Sequence, residues 1–504
     1  VVVREDIAKE LIHAADHTDD PIPADGHIYN ARGVIAENYH DLQGLGILSQ
    51  TREEHRLAKA SSRSSLRAVY QAVEIGLLNL TDITARAASD IERERHGSSL
   101  VKMYWARGFH RVLTRLSTLP HQLGLPLPDA DGGTPLRICE SPAFQEYRVA
   151  LNRLDCAIDR RVSSGALSLE QLLGNHSIDS SDVALLHVTR ICNHESTIWE
   201  HNLSEVRVPS PVESYAEFVV ANRMRDAVYD RVLTGDTYFT QFRGLHQIPE
   251  TLGEEVNDRI EEAIRDIRAR SFRSAFEHLR CANLLTDGML AAIAPMADNL
   301  ATADYHEIRE NLGLTSGSHS VCLRFHMFSD LYEQLWDAIE FQLTCAAGSR
   351  DPSVDAAIRA VQARRFDDPD TWLLHLLLGE CLTFRTFVNQ WREQHLHLPR
   401  NNLGGGHTKS LTGSPDAILA VKRMRNAAYA ADVMQPLVHV RGLSLGGADT
   451  TRPLAGYLAS DASLDSQLLL ATGRVTQHRF QQVQQRLGFF AQKCPFTPPP
   501  PRRA

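Results

Sequence analysis

No run of apolar residues approaches the about 18 that a membrane span requires. The opening VVVREDIAKELIHAADH turns charged too early for a secretory leader. These two absences set the expectation of a cytoplasmic chain that engages no membrane. A basic surplus is missing as well: 62 acidic against 53 basic side chains leave a formal charge of −9, so nucleic acid has no electrostatic motive to bind. The eight cysteines (Cys139, Cys156, Cys192, Cys281, Cys322, Cys345, Cys381 and Cys494) contain no CxxC and no CxxCH, and reduced core thiols are expected. Strand-like alternation is almost absent. Its one clear instance, PLVHVRG at 436–442, is too little for a sheet of its own.

What the chain has is helical periodicity. Of its 504 residues, 43% are hydrophobic, enough for a large core. Apolar residues recur at helical spacing over 64–91, 100–119 and 257–293. The expected fold class is therefore all-α, with proline- and glycine-rich connections at 123–136 and 207–213 and an extended tail at 494–504. The most informative helix is predicted over about Asp370 to Leu398. Leu377, Cys381, Phe384, Val388, Trp391 and His395 fall at alternating steps of four and three on one face, so His395 extends an apolar stripe. His397 points elsewhere, and Pro399 is expected to stop the run at Leu398.

The sequence REQHLHLPRNNLGGGHTKSLTGS (392–414) opens three readings. A phosphate loop fails on spacing, since Lys409 follows Thr408 rather than glycine, and on context, since a helix precedes it. A mobile linker is the plainest reading of three glycines after a proline. In the third, His395 ligates a buried haem iron through a neutral imidazole nitrogen while the apolar face contacts the porphyrin. Separately, His319, Cys322 and His326 supply three potential metal ligands without a fourth, a poor structural zinc site.

The third reading is the one that a family resemblance supports. FVNQWREQHLHLPRNNLGGGHTKSLTGS resembles the end of the tryptophan 2,3-dioxygenase core, where a helix ending in the proximal haem histidine leads to a Thr-Gly-Gly-Ser type turn, here Thr412, Gly413 and Ser414. LLTDGMLAAIAPMADNLATADYHEIRENLGLTSGSHSVCLRF (284–325) is similar to the segment in which a tyrosine, an arginine four residues on and a Ser-Gly-x-x-Ser turn follow a long helix. Tyr305, Arg309, Ser316, Gly317 and Ser320 fit that spacing. SSDVALLHVTRICNHESTIWEHNLSEV (180–206) resembles the haem enzyme of pyrrolnitrin biosynthesis, a divergent branch of the same superfamily. Its NHESTIW partly matches the distal His-Gln-x-x-Glu-Leu-Trp of the dioxygenases, and alignment on Trp199 puts Asn193, not His194, at the distal histidine position. VYQAVEIG (69–76) and SPAFQEYR (141–148) echo dioxygenase motifs faintly. An internal duplication or ordinary amphipathic helix accounts for them, the second more cheaply.

The resemblance implies a large helical bundle of the tryptophan 2,3-dioxygenase type enclosing haem b. It implies a catalytic domain over 166–490, a helical N-terminal extension or subdomain over 1–165 and a proline-rich tail over 491–504. It implies O2 activation on an iron ligated by His395, with an aromatic amino acid, namely tryptophan, tyrosine or a modified derivative, as substrate. Arg309 would take the substrate carboxylate in bidentate fashion, Tyr305 and Thr412 would assist, and Ser316 and Gly317 would shape the turn beside it. His187, Asn193 and His194 are the distal candidates for acid–base work. A homo-oligomer is consistent with the resemblance. Two alternatives stand beside this one: a serine hydrolase using Ser444 in Gly442-Leu443-Ser444-Leu445-Gly446, with His478 downstream, and a non-catalytic haem- or ligand-binding protein of the same fold.

Overall fold

A computed structural model describes residues 44–57, 61–123, 133–163, 181–204, 206–209, 214–229, 239–299, 305, 308, 330–348, 353–402, 418 and 432–438. Almost everything described is helix. In chain order the helices are α1 (Leu45–Leu57), α2 (Ser61–Glu92), α3 (His96–Gln122), α4 (Pro142–Ser163), α5 (Ser181–Ser204), α6 (Tyr215–Val219), α7 (Ala221–Tyr229), α8 (Phe239–Arg268), α9 (Phe272–Asn299), α10 (Asp330–Ala347), α11 (Val354–Ala363) and α12 (Pro369–Asn402). Residues up to Val440 form one compact unit; a second, Arg441–Ala504, lies outside the described residues. No described helix is long and apolar enough to cross a membrane.

The long helices follow from the periodicity that predicts them, with three differences. The run over 257–293 divides into α8 and α9 at a tight turn. There Arg270 adopts φ 61°, its N–H reaches Ile267 O at 3.1 Å and Ser271 N–H reaches Asp266 O at 2.8 Å, a Schellman closure with arginine where glycine is usual. At the other end, α12 does not stop before Pro399 but continues to Asn402. The alternating 436–442 run is not a strand over its described part, because residues 435–438 form a helical turn. The only strands among the described residues lie in the two proline-containing connections. Gly133–Pro135 (β1) pairs antiparallel with Arg207–Pro209 (β2), with Thr134 opposite Val208.

The core is one continuous cluster of buried side chains, including Tyr70, Trp105, Phe109, Tyr147 and Trp199 from the first half and Leu245, Ile260, Leu285, Leu335 and Phe384 from the second. Each such large apolar side chain taken fully from water contributes about 1.5–3 kcal/mol before entropy is charged. The first 165 residues thus supply α2, α3 and α4 to the same core as α8 and α9. At the helix–helix contacts small residues permit close approach: a Cβ on Gly76 of α2 would lie 2.7 Å from Leu113 of α3. Polar bonds join distant segments, as where Ser65 donates to buried Glu255 at 2.7 Å and Arg52 pairs with Glu254 at 2.8 Å.

Candidate functional site

The apolar stripe read on α12 is real. Leu377, Cys381 and Phe384 are wholly buried, Val388 is 1% exposed, and Trp391 packs against the core at partial burial. Helical backbone carries the stripe through residue 395; the side chain of His395 lies outside what the structure describes. His397 is exposed, as its offset from the stripe requires. Two amide oxygens near the end of this helix, Asn389 Oδ1 and Gln394 Oε1, are buried without a hydrogen-bond partner. Leaving such a group unsatisfied costs about 1–3 kcal/mol.

Helix directions bring the separate pieces together. Arg270 at the start of α9 lies 3.5 Å from Asp370 at the start of α12, and Asn283 Nδ2 donates to Glu380 O at 3.0 Å further along, so α9 and α12 run side by side in the same direction. At about 1.5 Å rise per residue, the level of His395 falls near the last turn of α9. Tyr305, six residues after α9 ends, is buried, as is Ile308. α8 returns antiparallel to α9 from the tight turn, with Arg259 Nη1 3.4 Å from His278 Nδ1 across the pair. Counting outward from that contact puts His246 of α8 at the same end. Counting along the helices therefore puts His246 and the backbone of His395 toward the same end of this three-helix layer. Arg309, Ser316, Gly317, Ser320 and Thr412 lie outside the described residues, as do Ser444 and the His319, Cys322 and His326 group.

His246 is a residue that reading the sequence for the distal motif near Trp199 passes over. The signal is literal: FRGLHQIPETLG holds His246, Gln247 and Glu250 at the His-Gln-x-x-Glu spacing. Pro249 inside the motif, an unexpected residue in a helix interior, does not interrupt α8. His246 is half-buried, its Nδ1–H donating to Phe242 O at 2.7 Å and its ring packed against that of Phe242. Gln247 is buried and donates to Ala227 O at 2.8 Å, and Glu250 is buried.

The three residues read on α5 fall differently. His187 and His194 are exposed, and Asn193 is half-buried with its carbonyl accepting from Ser196 Oγ at 2.8 Å. The two histidines therefore lie on the solvent-facing side of α5. The inward face is Cys192, Glu195, Ser196 and Trp199, at i, i+3, i+4 and i+7. It builds a closed polar cluster with α3 and α4. His110, wholly buried, meets Glu195 Oε2 through Nδ1 at 2.7 Å and Tyr147 Oη through Nε2 at 2.6 Å; its ring lies 4.4 Å from that of Trp199. Arg107 pairs with the same carboxylate, and Trp199 Nε1 donates to Thr114 Oγ1 at 2.9 Å. Burial pushes His110 down to about 4, so the ring is neutral, donating from Nδ1 and accepting the tyrosine proton at Nε2. Burial would raise Glu195, but the hydrogen bonds from His110 and Arg107 outweigh it and hold the carboxyl below its usual range. Burial also lifts the Cys192 thiol to about 12, so it is not a nucleophile.

Among the described residues no group of three or more His, Cys, Asp or Glu side chains could hold a metal ion. Comparison with known proteins finds no matching family model and no matching curated protein.

Proposed function

We propose that the protein is a haem-dependent oxygenase acting on an aromatic amino acid, free or modified, in which His395 would hold the haem iron and His246 would serve the substrate. What supports this reading is that residue counts along α8, α9 and α12 put His246 and the backbone of His395 toward one end of that layer, with the buried Tyr305 six residues beyond the end of α9. What favours a haem is the sequence of α12, whose apolar face, buried from Leu377 through Val388, reaches His395 at helical spacing. When bound, haem b would supply O2 activation at its iron.

The chain's own residues hold and orient the substrate. Arg309 offers two parallel N–H donors to the carboxylate, and the Tyr305 hydroxyl and Thr412 share the polar end. The apolar face of α12 keeps water from the aromatic ring. Acid–base work, where the reaction needs it, falls to His246 rather than to His187 or His194 on their exposed face. A serine hydrolase using Ser444 remains the second reading; Ser444 and residues 439–443 ahead of it lie outside the described residues.

Protein purified from haem-sufficient cells is expected to show a Soret band that moves when carbon monoxide is added after reduction, and His395→Ala is expected to abolish it. A colourless, fully folded preparation would overturn the proposal.

A further inference from the structure

α2 to α5 and α8 to α12 repeat one another. The turn joining α2 to α3 and the turn joining α8 to α9 are the same object displaced by 176 residues, as from Asp90 to Asp266. Glu94 and Arg270 both take φ 61°. Four backbone bonds recur: Arg93 to Ser89 and Ala269 to Arg265, Glu94 to Ile91 and Arg270 to Ile267, Arg95 to Asp90 and Ser271 to Asp266, Ser99 to Arg95 and Ala275 to Ser271. At the same displacement, wholly buried residues face wholly buried residues along both helices: Val69 and Leu245, Leu80 and Val256, Ala87 and Ala263, Met103 and Leu279, Phe109 and Leu285. So do the letters of Arg67, Gln71 and Glu74, which return as Arg243, Gln247 and Glu250.

α5 and α12 match at a displacement of 192, seen from Trp199 to Trp391. Leu185, Thr189, Cys192 and Ser196 are buried, and so are their counterparts Leu377, Cys381, Phe384 and Val388. Helical periodicity alone would give matching stripes. It does not give the same glycine-free turn or the same packing plan: α2 on α3 and α4, α3 on α5; α8 on α9 and α10, α9 on α12. Relative direction is also shared, since α3 meets α5 at His110 with Glu195 and again at Thr114 with Trp199, parallel as α9 is to α12. Finally, α2 packs on α8 and α3 on α9, each helix on its own counterpart, as a two-fold interface requires.

The two copies differ where a ligand would sit. In the first, Tyr70 donates to Leu203 O at 2.6 Å, with its ring edge-on to Tyr215 and Phe218, centroids 5.8 and 6.2 Å away. Below it buried Glu74 accepts from Ser141 Oγ at 2.7 Å and from Tyr215 Oη at 3.3 Å. The counterparts of the contacting pair Tyr70 and Leu203 are His246 and His395. Side chains from α2 and α6 fill the gap between α2 and α5, so the first copy is closed by its own residues.

We propose that the chain is an internally duplicated, pseudo-two-fold protein in which the N-terminal copy carries a counterpart of the haem site plugged by Tyr70, so that one chain holds one haem, in the C-terminal copy alone. The stoichiometry rests on the haem reading above; the duplication does not. Two measurements on the full chain separate them. Haem per chain, measured by pyridine haemochromogen against quantitative amino-acid analysis, is expected to be one, falling to zero in His395→Ala. Two haems per chain, or haem retained in that variant, overturns the plugged copy. A colourless chain overturns the haem reading together with the stoichiometry, and leaves the duplication to be decided by distances. Two-fold copies demand that the separation between exposed positions 94 and 277 equal that between exposed positions 101 and 270. Spin labels on a ketone-bearing non-canonical residue, which spares the eight cysteines, read both by pulsed electron–electron resonance. Coincident distance distributions support the duplication, and clearly separate ones overturn it.

Discussion

His110 and Glu195 meet at 2.7 Å between α3 and α5, and the carboxylate holds the neutral imidazole in the tautomer that lets it accept from Tyr147. With a folded value of about 4 against 6.5 for a free histidine, the unfolded chain takes up the proton first as pH falls. Stability from this residue is therefore complete above pH 6.5 and declines between 6.5 and about 4, by up to about 3 kcal/mol. His110→Gln should be less stable than wild type at pH 7.5 and closer to it at pH 5 in urea unfolding. An equal gap at both pH values would separate the cluster from the pH dependence.

Glu74 has the opposite sign. Burial lifts its carboxyl to about 7 despite hydrogen bonds from Ser141 and Tyr215, so the folded chain holds this proton more tightly than the unfolded one. Its contribution is present below 4.5 and is lost as pH rises through 7. Glu74→Gln keeps an acceptor for both hydroxyls and carries no charge. It should gain on wild type between pH 5 and pH 8, by up to about 3 kcal/mol in urea midpoints converted to free energy.

The two counterpart turns hold side chains in the left-handed region, which costs about 1–2 kcal/mol relative to glycine. Glu94→Gly and Arg270→Gly are each expected to stabilise the protein by about 1 kcal/mol, by similar amounts, and additively in the double variant because the two turns share no partner. Unfolding midpoints in urea for the three variants check this. A strongly destabilised single variant would show that one turn depends on its side chain.

Arg309→Ala is expected to keep the haem spectrum and lose the spectral shift that added tryptophan or tyrosine produces, with affinity down at least about tenfold for a lost bidentate carboxylate contact. Titration of the Soret band is the measurement. An unchanged shift removes Arg309 from the substrate site.

Much of the helical architecture is legible in the sequence because burial on one side imposes a 3.6-residue rhythm. Leu377, Cys381, Phe384 and Val388 carry that rhythm without a break, and the face they predict is the face that is buried. The division after Arg268 is not legible, because the turn uses arginine where glycine would have marked it. Pro399 misleads in the other direction. Proline disfavours helix in the residue before it, yet α12 continues, with Asn402 Nδ2 donating back to Leu398 O at 3.0 Å in its last turn. On α5 the anchor Trp199 is readable, but the inward set, Glu195 included, depends on His110 and Tyr147, which come from 85 and 48 residues upstream and leave no local trace. The repeat is faint in letters because its counterparts share burial more than identity: Met103 answers to Leu279, Cys192 to Phe384.

The packing of α2 on α8 also sets an order of events on the ribosome. Ser65 of α2 bonds Glu255 across a separation of 190 residues, and Arg52 of the preceding α1 reaches Glu254 across 202. At roughly 5–20 residues per second, the first copy waits about 10–40 s for the surface that completes it. Throughout that interval the face of α2 destined for α8, with Ser64, Ser65, Asn79 and Asp82 on it, is uncovered. Its polar partners on α8 arrive last, so the first copy is synthesised in full before the contact that joins it to the second can form.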